Sequence, residues 1–348
     1  MNDLSSHPPF VVTGASGYAA SWVVWDLLNR GAIVRGTVRD PSNTGKCQHL
    51  LDMAAELPGT LELVKADLLE AGSFEEPVAG AGAVIHTASP FFFGKVKDPY
   101  RQLINPAVEG TRNVLDAVNK SESVKKVVVT SSVAAIYGEG QDMANAGLDR
   151  FTESVWNTSS SASHQAYSFS KTEAEKAAWE MQKAQNRWTL ATINPGFILG
   201  PSKTPRADSE SIKFIRDMIR GVFKMGVPDF YFGVVDVRDV AKAHVEAVIR
   251  PEVEGRFILV ADSKTFLEMG QILRNHFGDK YPFPKGVLPK FLLYLAGPSQ
   301  GLSWKFIRAH AGYPVYFDNA RSREGLGIEY TPVEDTLVQH AEQLIAAH

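Results

Sequence analysis

The sequence predicts an α/β fold in which a doubly wound parallel sheet carries helices on both faces and a smaller C-terminal lobe follows it. Short apolar runs alternate with helical stretches through the first half of the 348 residues, as in strands joined by right-handed helical crossovers. A turn with two glycines, at residues 13–17, joins the first apolar run to the first helical stretch. After Gly196 the alternation gives way to a less regular part with many prolines.

The elements of the first half are predicted from these apolar runs and the helical stretches between them. The expected strands are residues 10–12, 32–38, 61–64, 83–86, 127–130 and 189–193. The expected helices are residues 21–29, which Gly31 ends as a typical C-terminal cap, residues 106–119, and the stretch after Tyr167. Two later apolar runs, 234–241 and 257–260, are expected to return to the main sheet.

The composition is that of an ordinary globular protein and argues against several classes of partner. A net charge of −3 without a basic tract disfavours nucleic acid. The single cysteine, Cys47, precludes an internal disulfide and is typical of a reducing compartment. The sequence shows neither a signal-peptide pattern nor a run of 18 apolar residues. We therefore expect a cytoplasmic protein with no membrane partner, and the sequence leaves open whether it is a monomer or a homodimer.

The turn at residues 13–17 has the position and the residues of a dinucleotide-binding turn. Gly14 permits the tight turn, and Gly17 lets a pyrophosphate approach the N–H groups at the helix N-terminus. Ala20 keeps the third position small. The alternative is a generic strand–helix turn. The first interpretation predicts a Rossmann-type dinucleotide-binding domain over residues 1–195, with 228–262 returning to it, and a substrate-binding lobe over 196–227 and 263–348.

Tyr167 and Lys171 lie four residues apart in a stretch that favours a helix. This spacing puts both side chains on one helical face, and residues 168–181 contain neither Gly nor Pro. A nearby ammonium lowers the pKa of a phenol from about 10 and makes it a proton donor for a carbonyl. A second Tyr-x3-Lys pair, Tyr281 and Lys285, encloses two prolines that exclude a helix. Taken alone, the first pair would also fit an amphipathic helix with a surface ion pair.

The end of the second predicted strand bears on which dinucleotide is bound. Enzymes that use NAD usually carry an acid there for the ribose hydroxyls. Asp40 is followed by Pro41, so we expect it to start a turn or cap a helix. Arg39 and Lys46 supply the charge that a 2′-phosphate needs, and Arg35 is a further candidate. The sequence therefore favours NADPH.

Two serines end the fifth predicted strand, where a doubly wound sheet opens its ligand crevice. A hydroxyl of Ser131 or Ser132 could hold a substrate carbonyl oxygen opposite Tyr167. The alternative is a local turn closed by strand-end serines.

Several motifs occur in order along nearly the whole chain. They are Thr13-Gly14-x2-Gly17-x2-Ala20, His86-x-Ala88, Asn105-x4-Gly110-Thr111-x-Asn113-Val114-Leu115, Thr130-Ser131-Ser132 and Tyr167-x3-Lys171. Together they resemble the extended short-chain dehydrogenase/reductases. Residues 37–41 (TVRDP) and 235–244 (VDVRDVAKAH) are similar to the branch of dihydroflavonol reductases and microbial aldehyde/ketone reductases.

The resemblance implies roles for particular residues. Ser132 would polarise the substrate oxygen, Tyr167 would donate the proton, and Lys171 would lower the tyrosine pKa and hold the nicotinamide ribose. Implied cofactor contacts are Gly14, Ser16, Gly17, Tyr18 and Ala19 to the pyrophosphate, Arg39 and Lys46 to the 2′-phosphate, Asp67 and Leu68 to the adenine, Thr87, Ala88 and Ser89 after the fourth strand, and Pro195, Gly196, Phe197 and Ile198 beside the nicotinamide.

The substrate is expected to be an aldehyde or ketone with an apolar group. Dihydroflavonol reductases carry an asparagine five residues after the serine, where this chain has Tyr137, which argues against a flavonoid. Three consecutive phenylalanines at 91–93 follow the fourth strand, and successive side chains diverge, so at least one should face the cleft unless a packed lobe covers them. The predicted pocket residues are Phe91, Phe93, Tyr137, Phe197 and Tyr231.

These interpretations predict an NADPH-dependent carbonyl reductase. One alternative is a nucleotide-sugar epimerase or dehydratase, which mostly holds NAD with an acid where Val38 stands. Another is a non-catalytic dinucleotide-sensing protein, whose relatives have usually lost the tyrosine or the lysine. His86 and His244 are expected to be packed, and no cluster of metal ligands is seen. Asp236, Arg238 and Asp239 are expected to form an ion-pair network that anchors the lobes.

Overall fold

The computed structural model describes residues 3–89, 96–204 and 209–347. The strands are β1 (Phe10–Thr13), β2 (Ile33–Val38), β3 (Thr60–Lys65), β4 (Ala83–His86), β5 (Lys126–Thr130), β6 (Thr189–Pro195), β7 (Phe197–Leu199), β8 (Tyr231–Asp236), β9 (Gly255–Leu259) and β10 (Asp262–Thr265). The helices are α1 (Tyr18–Asn29), α2 (Thr44–Glu56), α3 (Glu75–Val78), α4 (Asn105–Lys120), α5 (Asp142–Asn145), α6 (Ala166–Lys183), α7 (Glu210–Ile219), α8 (Val237–Ile249), α9 (Phe266–Phe277), α10 (Lys290–Ala296), α11 (Trp304–His310), α12 (Ala320–Leu326) and α13 (Val333–Ala346).

Seven of the described strands form one parallel sheet in the order β3-β2-β1-β4-β5-β6-β9. The order reverses direction between β1 and β4, and a sheet of this kind binds ligands beyond the strand ends at such a point. The predicted fold class is therefore confirmed. The predicted strands and helices are present with shifts of a few residues at their ends, and α1 starts at Tyr18 because Gly17 is already its N-cap.

The sheet is covered on both faces, which explains why its strands are almost continuously apolar. Val12 and Ile85 pack on the face that α1 and α8 cover. Val11 and Val84 point to the other face, which α4 and α6 cover. The alternation of side chains along each strand thus feeds two separate cores.

One predicted element belongs elsewhere. β8 was expected to return to the main sheet, but it pairs with β7 and β10 in a second, three-stranded sheet. Only β9 of the two later strands joins the main sheet, at its edge. The apolar pattern of residues 237–248 still marks a return, because α8 packs on the main sheet and contributes Val240 and Val245 to its core.

The smaller C-terminal lobe has an aromatic core of its own around β7, α7 and α9. Phe214, Phe232 and Phe266 pack there with ring centroids 4.9–5.0 Å apart. The end of the chain does not stay wholly in this lobe, because Leu326 and Ile328 join the core of the main sheet. None of the described helices is long and apolar enough to cross a membrane.

Gly196 turns the chain from β6 in the main sheet to β7 in the small sheet. Its N–H donates to the Leu259 carbonyl over 3.0 Å. A Cβ at this position would lie 2.2 Å from the carbonyl oxygen of Gly233 in β8. The two sheets therefore meet at a backbone contact that only glycine permits.

We expect Gly196→Ala to lower the free energy of unfolding by about 1–3 kcal/mol, because backbone must shift to admit the methyl group. Gly286→Ala is the matched control, since a Cβ there has no heavy atom within 4 Å. Denaturant unfolding of both variants measures the difference. Equal stability of the two variants would show that the β6–β7 turn relaxes without cost.

Candidate active site

The glycine turn presents the N-terminus of α1 at the end of β1. Gly14 has φ +64°, and a Cβ there would lie 3.0 Å from that of Ala88. Thr37 in β2 holds the turn, because its carbonyl accepts from Ala15 N at 3.0 Å and its hydroxyl from Gly14 N at 3.3 Å. Gly17, the N-cap, has no side chain to cap the helix. Uncapped N–H groups at a helix N-terminus form an anion-binding site.

The residues next to Gly17 differ in burial and in the contacts that their side chains make. Ser16 is buried in the turn, whereas Ala19 lies in the first turn of α1 and is partly exposed. The Tyr18 hydroxyl donates to the Gly200 carbonyl at 2.5 Å, and its ring stacks on His340 of α13. The side chain of Tyr18 therefore ties the turn to the rest of the protein, and only its backbone is left to face a pyrophosphate.

The loop after β4 is hydrogen-bonded to the end of β1. Ala88 N donates to the Thr13 hydroxyl at 3.0 Å, and the Thr87 hydroxyl donates to the Thr13 carbonyl. The Thr13 hydroxyl in turn lies 2.8 Å from His86 Nδ1. Burial lowers the pKa of His86 to about 3, so this histidine is neutral and packed, as expected.

Two of the three basic side chains near the end of β2 are available to a ligand. Arg39 and Lys46 are exposed, and no hydrogen bond or ion pair of either side chain is formed with the described residues. Arg35 is instead used structurally, because it donates to the Ala79 carbonyl at 2.6 Å and lies 3.3 Å from the Glu62 carboxylate. Arg35 is a candidate for the 2′-phosphate from the sequence, but these contacts engage its guanidinium within the protein.

Asp40 starts a turn, as predicted. Its carboxylate accepts from the Ser42 N–H at 3.0 Å and from the Ser42 hydroxyl at 2.6 Å. These hydrogen bonds lower the pKa of Asp40. Its acceptor capacity is thus directed to the next turn. In the loop after β3, the Asp67 carboxylate likewise accepts from Leu69 N at 2.9 Å, and Leu68 lines the pocket described below.

α6 carries Tyr167 and Lys171 on one face, as their spacing predicts. Lys171 Nζ lies 5.9 Å from the centre of the tyrosine ring and donates to the Ser89 hydroxyl at 3.0 Å. Tyr167 is 46% exposed at the start of the helix. The pair therefore lies at the ends of β4 and β5, with the phenol at the solvent side and the ammonium beneath it.

The electrostatics of this pair differ from the sequence expectation. The surrounding protein desolvates both groups, which raises the pKa of Tyr167 to about 12 and lowers that of Lys171 to about 8. Glu175 opposes the second shift. Lys171 does not lower the tyrosine pKa here, because its Nζ is 5.9 Å from the ring and donates to Ser89. Tyr167 is thus a protonated phenol at neutral pH, which suits a proton donor.

The two serines after β5 face opposite sides. Ser131 is 6% exposed, and its hydroxyl donates inward to the Glu175 carboxylate. Ser132 is partly exposed, and its Oγ accepts from Ala134 N at 3.1 Å at the start of a 3₁₀ turn. The local turn is therefore real. Ser132 is the more exposed of the two serines, whereas Ser131 lines the pocket described below. Thr172 of α6 contacts the same turn at the Ala134 carbonyl.

A small pocket lies between the ends of β4 and β5 and the helices α4 and α6. It brings together several of the predicted site residues with parts of the buried framework. Its lining includes Leu68, His86, Ala88, Ser89, Thr130, Ser131, Lys171 and Glu175. Thr130 is held by His244, whose Nδ1–H donates to the Val240 carbonyl at 2.7 Å and whose Nε2 accepts from the Thr130 hydroxyl at 2.6 Å.

The predicted substrate residues fall into two aromatic groups. Tyr137 stacks on Phe151 at 5.0 Å and meets Phe317 edge-on, and Tyr231 packs partly against the same group. Phe197 packs into the lobe core beside Phe214, 5.2 Å between centroids. Phe91 and Phe93 lie outside the described residues. Pro195 pairs with Leu259 in the main sheet, and Ile198 packs against its core, so both also serve the fold.

Two other predictions concern charged groups. The Asp236 carboxylate is paired with Arg238 at 2.7 Å and accepts from the Thr336 hydroxyl of α13 at 2.9 Å, which anchors the lobe as expected. Asp239 instead accepts from Thr331 N at 2.8 Å, and burial raises its pKa to about 6.

Within residues 3–89, 96–204 and 209–347, no group of three or more His, Cys, Asp or Glu could hold a metal ion.

Sequence reasoning missed two residues on either side of the Tyr/Lys pair. Gln165, the N-cap of α6, has φ +59°, a left-handed conformation that is rare outside glycine and is found at functional sites. Glu175 lies buried four residues beyond Lys171. Its helical spacing was visible in the sequence, whereas the strain at Gln165 had no sequence signal.

The chain matches one protein family over most of its length. Residues 10–261 match the model of the NAD dependent epimerase/dehydratase family. Cinnamoyl-CoA reductase CAD2 of Medicago truncatula is 39% identical over 338 residues, 96% of this chain and 94% of the relative. A bifunctional dihydroflavonol 4-reductase/flavanone 4-reductase of Malus domestica is 34% identical over 78% of this chain and 76% of the relative.

Solved structures give the same result. The crystal structure of Gre2 from Candida albicans in complex with NADPH has a TM-score of 0.80 and 31% identity, and the match covers 98% of this chain and 99% of that chain. The chain therefore belongs to the NAD dependent epimerase/dehydratase family of extended short-chain dehydrogenase/reductases.

Proposed function

We propose that this protein is an NADPH-dependent carbonyl reductase that converts an aldehyde or ketone to an alcohol. The observation that carries the proposal is the position of Tyr167, a protonated and half-exposed phenol, with Lys171 beneath it at the crevice beside the glycine turn. The reductases named among its relatives support the same reaction class. Cys47, buried and unpaired, fits a cytoplasmic location.

The residues at the crevice fit NADPH. The uncapped N-terminus of α1 suits the pyrophosphate. The exposed Arg39 and Lys46 suit a 2′-phosphate, whereas Asp40 is engaged with Ser42 and does not offer the ribose a free carboxylate. When bound, the cofactor supplies the hydride that adds to the carbonyl carbon.

The chain's own groups then supply the proton and the geometry. Tyr167 donates its phenolic proton to the carbonyl oxygen as the C–H bond forms, and Lys171, whose Nζ lies 5.9 Å from the tyrosine ring, would hold the nicotinamide ribose. Ser132 donates to the same oxygen and holds it in place. Because the pKa of Lys171 is about 8, this lysine is largely charged at neutral pH.

The competing functions are less well supported. A nucleotide-sugar epimerase needs NAD and partners for sugar phosphates, and Val38 occupies the place of the usual acid. A dinucleotide sensor would not need Tyr167 and Lys171 on one helical face at a crevice. A panel of aldehydes and ketones, a cinnamoyl-CoA thioester included because of the 39% identical relative, tests these functions by NADPH consumption.

We expect Tyr167→Phe to bind NADPH normally and to lose about 10²- to 10⁴-fold in kcat, since the positioned proton donor is gone. Steady-state kinetics and cofactor-fluorescence titration of the two proteins measure both effects. Tyr281→Phe, in the Tyr-x3-Lys pair interrupted by prolines, is the matched control and should keep full activity. Near-normal turnover of the Tyr167 variant would overturn the mechanism.

We expect replacement of Arg39 and Lys46 by glutamine to weaken NADPH binding by about 1.5–3 kcal/mol for each charged hydrogen bond lost. NADH binding should hardly change, because it lacks the 2′-phosphate. Dissociation constants for both cofactors measure the ratio, with Arg35→Gln as the basic control that should preserve it. An unmodified protein that already prefers NADH would contradict the assignment.

We expect aryl ketones and aromatic aldehydes to be reduced more efficiently than polar keto acids of similar size. Tyr137, Phe197 and Tyr231 belong to aromatic groups on the lobe side, and an apolar pocket favours apolar substrates. The measurement is the ratio of kcat/KM for an aryl ketone to that for a keto acid. A ratio below one would mean that the substrate meets a polar surface.

A further inference from the structure

The face of α6 that carries the reactive pair continues inward to a third residue. Tyr167, Lys171 and Glu175 are spaced by four residues each, so all three side chains lie along one helical face. Glu175 is only 1% exposed. A carboxylate at this depth requires compensation by cations and hydrogen bonds, and the structure supplies both.

The Glu175 carboxylate accepts hydrogen bonds from Trp179 of α6, at 3.3 Å, and from residues of β6, β9 and the end of β5. Arg256 of β9 donates to Oε1 at 2.6 Å and Thr192 of β6 donates to the same oxygen at 3.1 Å. Asn194 donates to Oε2 at 2.7 Å, and the Ser131 hydroxyl donates to the same oxygen. Glu175 thereby joins α6 to the ends of β5, β6 and β9.

The Arg256 guanidinium also makes contacts with residues other than Glu175. Its Nη1 donates to the carbonyls of Glu153 and Val155 at 2.7 and 2.6 Å, and the guanidinium stacks 3.9 Å from the Trp156 ring. The guanidinium therefore has a fixed position, and the carboxylate it binds is fixed with it.

The same contacts reach Ser132, the more exposed of the two serines. The side-chain amide of Asn194, which donates to Glu175, lies 3.2 Å from the Ser132 carbonyl and donates to it as well. The Ser131 hydroxyl is drawn inward to Glu175. Because successive side chains of an extended segment point to opposite sides, anchoring Ser131 inward directs Ser132 outward.

The charge of Glu175 also acts on Lys171. Burial lowers the lysine pKa and the Glu175 carboxylate raises it. Among the described residues, the other ionisable groups that face Lys171 are Tyr167 on the same helix and His86 of β4, both uncharged at neutral pH. The negative charge of Glu175 thus favours the protonated lysine, and the positive charge of Arg256, paired with Glu175, reduces that effect.

We propose that Glu175 is a positioning residue of the carbonyl reductase, which orients Ser132 through Ser131 and Asn194 and holds Lys171 in its ammonium form. This inference rests on the proposed function, because it assigns the same serine and lysine to the reaction. It predicts opposite electrostatic effects for the two members of the Glu175–Arg256 pair. A pair that only stabilises the fold would not produce opposite effects.

The test is the pH dependence of NADPH binding and of kcat/KM for the preferred ketone. In Glu175→Gln the decline at alkaline pH should move to lower pH by up to about one unit, because the lysine loses its neighbouring anion. In Arg256→Gln the alkaline decline should move to higher pH, because the positive charge that opposes the Glu175 carboxylate is removed. In Glu175→Gln we also expect kcat to fall by more than tenfold, a loss of the size seen when a donor to the substrate oxygen is misplaced.

Two further variants keep the test decisive. Glu173→Gln removes a carboxylate of α6 that pairs with Lys176 at the surface, and should leave the profile unchanged. The neutral double variant Glu175→Gln/Arg256→Gln avoids an unpaired buried charge, and its decline should lie between those of the wild type and Glu175→Gln.

Unchanged pH profiles in the Glu175 variant and the double variant would overturn the proposal, whatever happens to stability. Failure of the proposed function is recognised separately, by normal turnover of Tyr167→Phe in the same assays. The profile of NADPH binding needs no turnover, so the effect on Lys171 is measured even then.

Discussion

The buried ion pair between Glu175 and Arg256 is the interaction on which the rest of the site depends. A charge pair removed from water is stable only when its remaining hydrogen-bonding capacity is filled, and here backbone carbonyls, an amide and hydroxyls fill it. The pair connects the helix of the reactive residues to β9 at the sheet edge. Fully satisfied networks of this kind give a polar core one arrangement.

The reactive pair lies just outside this network and is governed by desolvation. The surrounding protein shifts both Tyr167 and Lys171 toward their neutral forms, although the Tyr167 side chain remains 46% exposed. For the tyrosine this preserves the proton that the proposed mechanism requires. For the lysine, the lowered pKa makes its charge depend on nearby groups, and Glu175 of the buried pair raises that pKa.

The two lobes are joined by contacts that leave little freedom at the glycine turn. Tyr18 binds the Gly200 carbonyl from the first turn of α1, and Gly200 N donates to His340 of α13 at 3.1 Å. Asp236 then binds Arg238 and Thr336 close by. The turn that would hold a pyrophosphate is therefore supported by residues after β7 and in α13.

The sequence by itself determined the sheet, the glycine turn and the Tyr/Lys helix, because each depends on local periodicity or on residues a few positions apart. It also indicated the turn at Asp40 and the packed His86, which follow from neighbouring residues. The tertiary structure alone decided that β8 lies in a second sheet, where Gly196 and Gly233 meet backbone to backbone. It also decided that Arg35 is used structurally while Arg39 stays exposed, and that desolvation raises the pKa of Tyr167. Glu175 and Arg256 are 81 residues apart in sequence, and only the packing of α6 against the sheet makes them one group, since a charge finds its partner through space and not along the chain.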